Sequence, residues 1–422
     1  MPVQLFKTIR NSVSWFRDPY RFLDQRIAVG EYDFRIDLPG SSAAMFVGSP
    51  DLIDEVVRNK NLVGGKGLRF VQPFTGPRAL IVISEAEHQS RRRPIQNIFF
   101  QSDNRWMTEL TEKYFALVAQ GLKQKQVFSL VDFYERVTLR TIIEYVLGVN
   151  EVEQEEVFRL LEDWMRSFKS PIWLFLKPLQ FDLGSLSPWG RFLRGREAIR
   201  NWIDERIQES ERDSRSVLSR LIADRNGGKL QISDEDLVWQ CIELILFGHD
   251  TTACGSAWVA MHLLDSSKIP AKELESSSYR EACIKEALRI TPMVVHVTRE
   301  AIEDTRVGDQ TIRKGQKVFP CAYLAHHHRD LYDHPEVFDP GRFMAEKPLP
   351  RNAYFPFGLG SRICVGMPFA MAQMDVLLRR TLEFGQLGKV SREKTRAERK
   401  FIIMAPENGG LVHYESFSQG FA

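Results

Sequence analysis

Residues 357–366 read Phe-Gly-Leu-Gly-Ser-Arg-Ile-Cys-Val-Gly, and Pro368 with an apolar, helix-like run over 369–384 follows directly. Three glycines in ten residues form a tight loop that presents one thiol, that of Cys364, just before the chain enters a helix. Such a loop brings backbone N–H groups close to the sulfur, where they hydrogen-bond a thiolate and tune its donation to a metal. Arg362, two residues ahead of the thiol, is placed to meet an anionic group of the same cofactor. The plain alternative is a buried structural cysteine, the usual fate of a lone intracellular thiol. The length of the whole pattern, FGxGxRxCxG, argues against chance.

Upstream, Ser233 is followed by Asp234, Glu235 and Asp236, acids that capping and the helix dipole favour in a first turn. The helical pattern runs on to about Leu264, roughly 45 Å at about 1.5 Å per residue. In its middle lies Phe247-Gly248-His249-Asp250-Thr251-Thr252. Glycine costs about 1 kcal/mol relative to alanine inside a helix, and two adjacent β-branched threonines add strain. Local propensity is given up mid-element, which often marks function. A second helix, Tyr279 to Ile290, ends at Thr291-Pro292 and sets Glu286 and Arg289 three apart for an ion pair. Alone that pair is weak evidence, because exposed helical pairs are common and contribute only about 0.2–0.5 kcal/mol. His88 and Arg92, four apart, share a helix face; read from the residues alone, they fit a solvated basic turn equally well.

The cysteine loop resembles that of the cytochrome P450 family, the haem-thiolate monooxygenases, and the resemblance covers about residues 18–412. It implies haem b with Cys364 as the proximal thiolate ligand of the iron, in a loop whose Phe357, Gly358, Arg362 and Gly366 surround the cofactor. It implies that Glu286, Arg289 and Arg342, the last from Phe338-Asp339-Pro340-Gly341-Arg342-Phe343, form the structural triad that locks this loop. His88 and Arg92 match the family's propionate-binding pair, and Arg299 a further propionate-binding arginine. Gly248, Asp250, Thr251 and Thr252 match the distal-helix motif, with Thr251 hydrogen-bonding dioxygen and its protons and Asp250 relaying protons from solvent. Phe247 departs from that motif, standing where a small residue is usual. The segments that line the family's pocket are Leu68–Leu80, Trp173–Leu176, Phe247, Met293–Val297 (with Val294, Val295 and Val297) and Ile402–Met404. They are mostly apolar, which implies a lipophilic small-molecule substrate.

Composition agrees with an enzyme domain of this size. The chain has 422 residues, 43% hydrophobic and 27% charged, which excludes wholesale disorder. Fifty-seven basic against fifty-five acidic residues give a net charge of +2, too little to draw in nucleic acid or an anionic membrane as a whole. Five dispersed cysteines without a CxxC fit a reducing, cytoplasmic setting. No apolar stretch approaches the roughly 18–20 residues of a transmembrane anchor. Residues 1–17 include an amphipathic stripe of Val3, Phe6, Ile9, Val13 and Phe16.

Residues 32–48 read as a hairpin around Pro39-Gly40-Ser41, residues 85–290 as helices interrupted near 182–190 and 222–234, and residues 293–300 and 305–319 as strands. Strands at both ends of a helical middle predict one α+β, mostly α-helical domain over 1–422, the P450 fold with a small β-rich region and a long central distal helix, and a flexible tail at 413–422. His326-His327-His328 resembles a metal tract, but it runs into Arg329-Asp330, and a solvated loop is the expectation. With no GxxxxGK[ST] and no strand-linked GxGxxG, the chain offers no nucleotide site. Electrons then come from a ferredoxin or flavodoxin with its reductase, docked on the basic run 379–400 and Arg91–Arg93 at the rim of the cysteine side. Other readings keep the haem but change the chemistry to peroxide use, isomerisation or coupling, which Phe247 leaves open, or make the chain a haem-binding sensor without turnover.

Overall fold

Where apolar residues recur every three to four positions the chain is helical. The long helices are Glu85–Gln101, Arg105–Ala119, Leu130–Leu147, Glu151–Ser167, Pro188–Ile207, Val217–Asn226, Asp234–Asp265, Ser277–Ile290 and Met367–Phe384. The computed structural model describes residues 11–37, 43–101, 105–167, 180–208, 213–266, 271–345 and 349–417. Serines start four of these helices by accepting a backbone N–H two or three residues inside: Ser129 from Asp132, Ser187 from Gly190, Ser216 from Ser219 and Ser233 from Asp236. Each such cap contributes about 1 kcal/mol. The helix from Val217 already takes up 217–226, so the polar stretch expected as a break from 222 is a loop only from Gly227.

Strands β1 (Asp33–Ile36), β2 (Ala44–Val47), β3 (Leu62–Val63), β4 (Phe128–Ser129), β5 (Arg299–Ala301), β6 (Thr305–Val307), β7 (Gln310–Ile312), β8 (Lys317–Pro320), β9 (Gly385–Lys389), β10 (Ala397–Lys400), β11 (Ile403–Pro406) and β12 (Leu411–Phe417) form four small sheets. The largest has the order β1-β2-β8-β5-β3. Its β1–β2 hairpin is antiparallel with Phe34 opposite Phe46, as the alternation predicts, while the turn at 39–41 lies outside the described residues. At the other end of the chain β12 pairs antiparallel with β9 through Phe417. Residues 413–417 are therefore a ladder strand and not the expected flexible tail.

The distal helix, Asp234–Asp265, runs through the main core and packs on Leu130–Leu147. Gly248 sits at that crossing: a Cβ there would meet Ile142 at 3.0 Å, so the glycine permits the two helices to approach. From 249 to 256 the helix side chains of Thr251, Thr252 and Ser256 donate to the carbonyls of Phe247, Gly248 and Thr252, and Thr138 from the neighbouring helix donates to His249 O at 3.1 Å. Such bonds compete for carbonyls of the helical ladder and bend helices.

Two smaller cores flank the main one. Trp15, Tyr20, Phe22, Phe34, Phe46, Val295, Phe319 and Tyr323 form the first, and Met45, Val47, Ile53, Val318, Phe355 and Leu359 belong to the second. The segment entering the cysteine loop is thus anchored by Phe355 and Leu359 in one core, and the helix leaving it by Phe369 in another. Of the amphipathic stripe near the start, Val13 and Phe16 are exposed on a helix over 11–17 whose Trp15 is buried; Val3, Phe6 and Ile9 lie outside the described residues.

The three histidines are not a solvated loop. His326 and His327 close the short helix Ala322–His326, and all three rings are buried. Burial holds His326 and His327 neutral, far below the usual histidine range, and neither ring points at a metal-like cluster.

Candidate active site

Backbone geometry explains the glycines of the cysteine loop. Gly358 and Gly360 have φ of +76° and +68°, a region that disfavours any Cβ. These turns let Cys364 N donate to Phe357 O at 2.8 Å and close the loop. Cys241, Cys254, Cys283 and Cys321 are buried, whereas Cys364 is accessible although protein surrounds it, so it faces an open recess. Burial pushes the Cys364 thiol up, and the Gly366 N–H and the Arg92 guanidinium pull it back towards the thiolate.

Behind the loop lies a closed ionic network. Arg289 donates to both oxygens of Glu286, at 2.7 and 2.8 Å, and both residues are fully buried. Arg342 Nε reaches Glu286 Oε1 at 3.3 Å, so the three residues expected to associate do so. Arg289 Nη1 also donates to His326 O at 2.8 Å, and His326 Nε2 accepts from Phe355 N at 2.9 Å. His326 therefore connects the ion pair to the segment that enters the cysteine loop. No local sequence signal announces that connection.

Three guanidinium cations, those of Arg92, Arg299 and Arg362, and the neutral imidazole of His88 stand around the recess. His88 and Arg92 are buried on the helix Glu85–Gln101, and Arg299 is buried at the start of β5. His88 Nδ1 and Arg92 Nη2 have no hydrogen-bond partner. Leaving such groups unpaired costs about 1–3 kcal/mol each, which a carboxylate in the recess would recover. Burial and the charge of Arg362 push His88 down to about 4, with Arg92 and Arg299 adding to the effect and Glu85 opposing it. Arg362 itself departs from expectation. Its Nε donates to Glu85 Oε2 at 2.7 Å, Nη1 to Leu80 O at 2.9 Å and Nη2 to Ile83 O at 2.8 Å, so most of its five N–H groups are engaged inside the protein. The accessible thiol and the unsatisfied nitrogens of His88 and Arg92 suit a flat, carboxylate-bearing group such as haem.

On the distal helix, Thr251 Oγ1 donates to Phe247 O at 3.0 Å and keeps its lone pairs free. Asp250 is not the isolated acid that sequence suggests. Lys400 Nζ, from β10, donates to Asp250 Oδ1 at 2.6 Å and also pairs with Glu135 of the helix Leu130–Leu147, while Cys254 Sγ lies 3.6 Å from Asp250. Glu135, Asp250 and Cys254 have the spacing of a metal site, but the lysine already supplies the cation. Burial raises the Asp250 carboxyl and lowers the Lys400 amine to about 8.

The apolar candidates divide. Val297 lies 3.4 Å from a Cβ built on Gly358, Val294 is 40% exposed and Phe247 is half-buried. Val295 is instead buried with Trp15, Tyr20 and Tyr323 in the N-terminal core, because its neighbours alternate in an extended segment and it takes the inward position. Trp173–Leu176 lie outside the described residues. Phe74 and Phe401 meet at 5.6 Å, and Phe74 also packs on Phe192 at 5.0 Å. The basic run 379–400 is largely committed elsewhere. Arg379 and Arg380 pair with Glu383, Lys389 pairs with Asp265, Arg399 donates to the carbonyls of Trp15 and Phe16, and Lys400 reaches the distal helix.

Comparison with known proteins adds one result. The family profile described as Cytochrome P450 matches residues 34–412. A protein of Mycobacterium tuberculosis (strain ATCC 25618 / H37Rv) carrying the name cytochrome P450 138 is 26% identical over 386 residues, 89% of this chain and 84% of that protein. Another from the same strain, carrying the name cytochrome P450 135B1, is 26% identical over 392 residues, 89% of this chain and 80% of that protein. Among the described residues no helix is long and apolar enough to cross a membrane.

Proposed function

The chain belongs to the cytochrome P450 family, and on that premise we propose that it inserts one atom of O2 into a lipophilic small molecule, by hydroxylation or epoxidation, with electrons from a separate ferredoxin or flavodoxin and its reductase. The observation that carries this reading is the recess itself, one accessible thiol beside two buried nitrogens without partners, His88 Nδ1 and Arg92 Nη2. Haem b, when bound, supplies the iron at which dioxygen is activated. Cys364 would be its thiolate ligand, stabilised by the Gly366 N–H, and His88, Arg92 and Arg299 would hold its carboxylates. Phe357 and Gly358 would pack beside it in the loop.

The residues of the distal helix then divide the proton work. Thr251, whose hydroxyl hydrogen is held by Phe247 O, offers lone pairs that orient a proton donor above the recess. Asp250 Oδ1 takes a proton from Lys400 Nζ, whose lowered pKa makes it a ready donor, and the lysine, 37% accessible and held by Glu135, regains a proton from solvent. Thr252 donates to Gly248 O within the helix. Phe247 narrows the space beside Thr251 and, with Val294 and Val297, would present apolar surface to the substrate.

The test begins with the reduced, carbon monoxide-treated protein, whose Soret band is strongly red-shifted if Cys364 ligates the iron as thiolate. Turnover in 18O2 with a ferredoxin system and a lipophilic substrate should give singly labelled product. Product formed only when peroxide replaces reductant and dioxygen overturns the monooxygenase reading, and a histidine-like spectrum removes Cys364 from its role.

A further inference from the structure

The segment Ala79–Ile83 belongs to no helix or strand, so its peptide groups need partners from elsewhere. The partners come from opposite sides of the recess. Glu243, on the distal helix and only 5% exposed, accepts from Leu80 N at 2.9 Å through Oε2 and from Ile81 N at 3.0 Å through Oε1. Arg362, in the cysteine loop, donates to Leu80 O at 2.9 Å and Ile83 O at 2.8 Å. Four polar groups within four residues of backbone are thus held by one carboxylate and one guanidinium that do not touch each other. The side chains of Ala79, Leu80, Val82 and Ile83 are buried, and Gly65 leaves no room for a Cβ against Ile83 O, so the segment cannot slide to relieve a lost bond.

We propose that Glu243 is a positioning residue for the cysteine loop: through the backbone of Leu80–Ile83 it fixes Arg362, and with it the loop that presents Cys364, from the far wall of the site. The inference rests on the reading of the Cys364 loop as the cofactor-holding loop, but the coupling itself is a property of the polypeptide. It also accounts for Arg362, most of whose donors are engaged by the strap and Glu85.

The coupling carries a pH dependence with a definite sign. Burial pushes Glu243 up to about 7, against the N–H groups of Leu80 and Ile81, the amide of Gln240 and the charge of Arg91 on the helix Glu85–Gln101. Arg91 and Arg78 are themselves paired with Asp236, about two helical turns earlier on the same helix, so they do not neutralise Glu243 directly. The closed strap therefore binds a proton more tightly than an opened, solvated carboxylate, whose pKa is about 4.3. By linkage, closure weakens as pH rises between those two values and is constant above them.

Hydrogen–deuterium exchange on the full-length holoprotein tests this without relying on turnover. Glu243→Ala should raise exchange about tenfold or more in residues 78–84 and also raise it in 357–366, while 252–262 stays unchanged. Glu243→Gln keeps one acceptor, folds if the alanine variant does not, and should show the same pattern with a smaller increase. In the wild type, opening of 78–84, corrected for intrinsic exchange, should rise about tenfold or more from pH 5 to 7 and then level off, and Glu243→Gln should abolish that dependence. An increase confined to 78–84 would make Glu243 a staple of that segment alone and overturn the proposal. So would a uniform rise that includes 252–262. The coupling seen in a chain that fails the 18O2 test would uphold it while sinking the monooxygenase reading.

Discussion

The cysteine side and the distal side of the recess are built on opposite principles. Behind Cys364, Glu286 and Arg289 are fully buried, every strong donor of Arg289 has an acceptor, and His326 passes the constraint on to the loop backbone. Across the recess, Asp250, Glu135 and Lys400 keep between a quarter and well over a third of their side-chain surface accessible, and their charges are shared among three groups. A buried pair with no alternative partner fixes geometry; a partly accessible cluster with a depressed lysine can exchange protons. The comparison teaches that stability and chemistry are carried by different sides, and substitutions should separate them.

The largest effect is expected behind the cysteine. Glu286→Ala leaves Arg289 buried beside Arg342 with no carboxylate, which costs about 3–5 kcal/mol. Denaturant midpoints and haem content should both fall steeply, and a variant that retains full haem and the wild-type midpoint would break the comparison at its strongest point.

Acid should expose the same asymmetry. Burial depresses His262 and His327 to about 3 and His88 and His296 to about 4, and it holds His326 well below the usual histidine range. A histidine whose folded pKa lies below its unfolded value near 6.5 contributes stability that is lost as pH falls from about 6.5 towards 4. Glu243, raised to about 7, and Asp24 and Asp250, also raised by burial, oppose this, but three acids face six histidines once His328 is added. Urea midpoints should therefore drop between pH 7 and 5, and a midpoint that is flat or rises would show that the buried histidines are charged in the fold.

On the distal side the expectation is catalytic and leaves folding intact. Thr251→Ala removes a hydroxyl already satisfied by Phe247 O, so stability should change by less than about 1 kcal/mol. Product formed per electron consumed should nonetheless fall severalfold, with the remainder appearing as peroxide. Unchanged coupling would mean that Thr251 has no part in proton delivery.

Sequence legibility follows the same division. The Ser233 cap, the Glu286–Arg289 spacing and the glycine turns around Cys364 were readable because each is local, resting on three or four consecutive positions. His326, Lys400 and Glu243 were not. Each finds its partner 29 to 163 residues away, and nothing in the residues around them separates a buried connector from a solvated loop or a surface charge. Arg362 shows the same limit from the other direction: its place in the motif is plain, but the acceptors that occupy it, at Leu80, Ile83 and Glu85, come from a segment some 280 residues earlier. Val295 was misjudged because an extended segment alternates its faces, and only tertiary packing says which face is inward.

The smallest effect, and the one that sharpens the comparison most, concerns Lys400. Its side chain is 37% accessible, so replacing it should barely alter the denaturant midpoint. Lys400→Met takes the cation from between two carboxylates, and Asp250 then faces Glu135 without compensation. Its carboxyl, already raised by burial, rises further. Asp250 would remain protonated to higher pH, so the acid limb of product yield against pH should move upward while Lys400→Arg leaves it near the wild-type position. Yield per electron at pH 7 should fall less than in Thr251→Ala, because the lysine acts through Asp250. A profile that does not move in Lys400→Met would show that Asp250 exchanges its proton with solvent by a route that bypasses the cluster, and the distal side would then owe its chemistry to Thr251 alone.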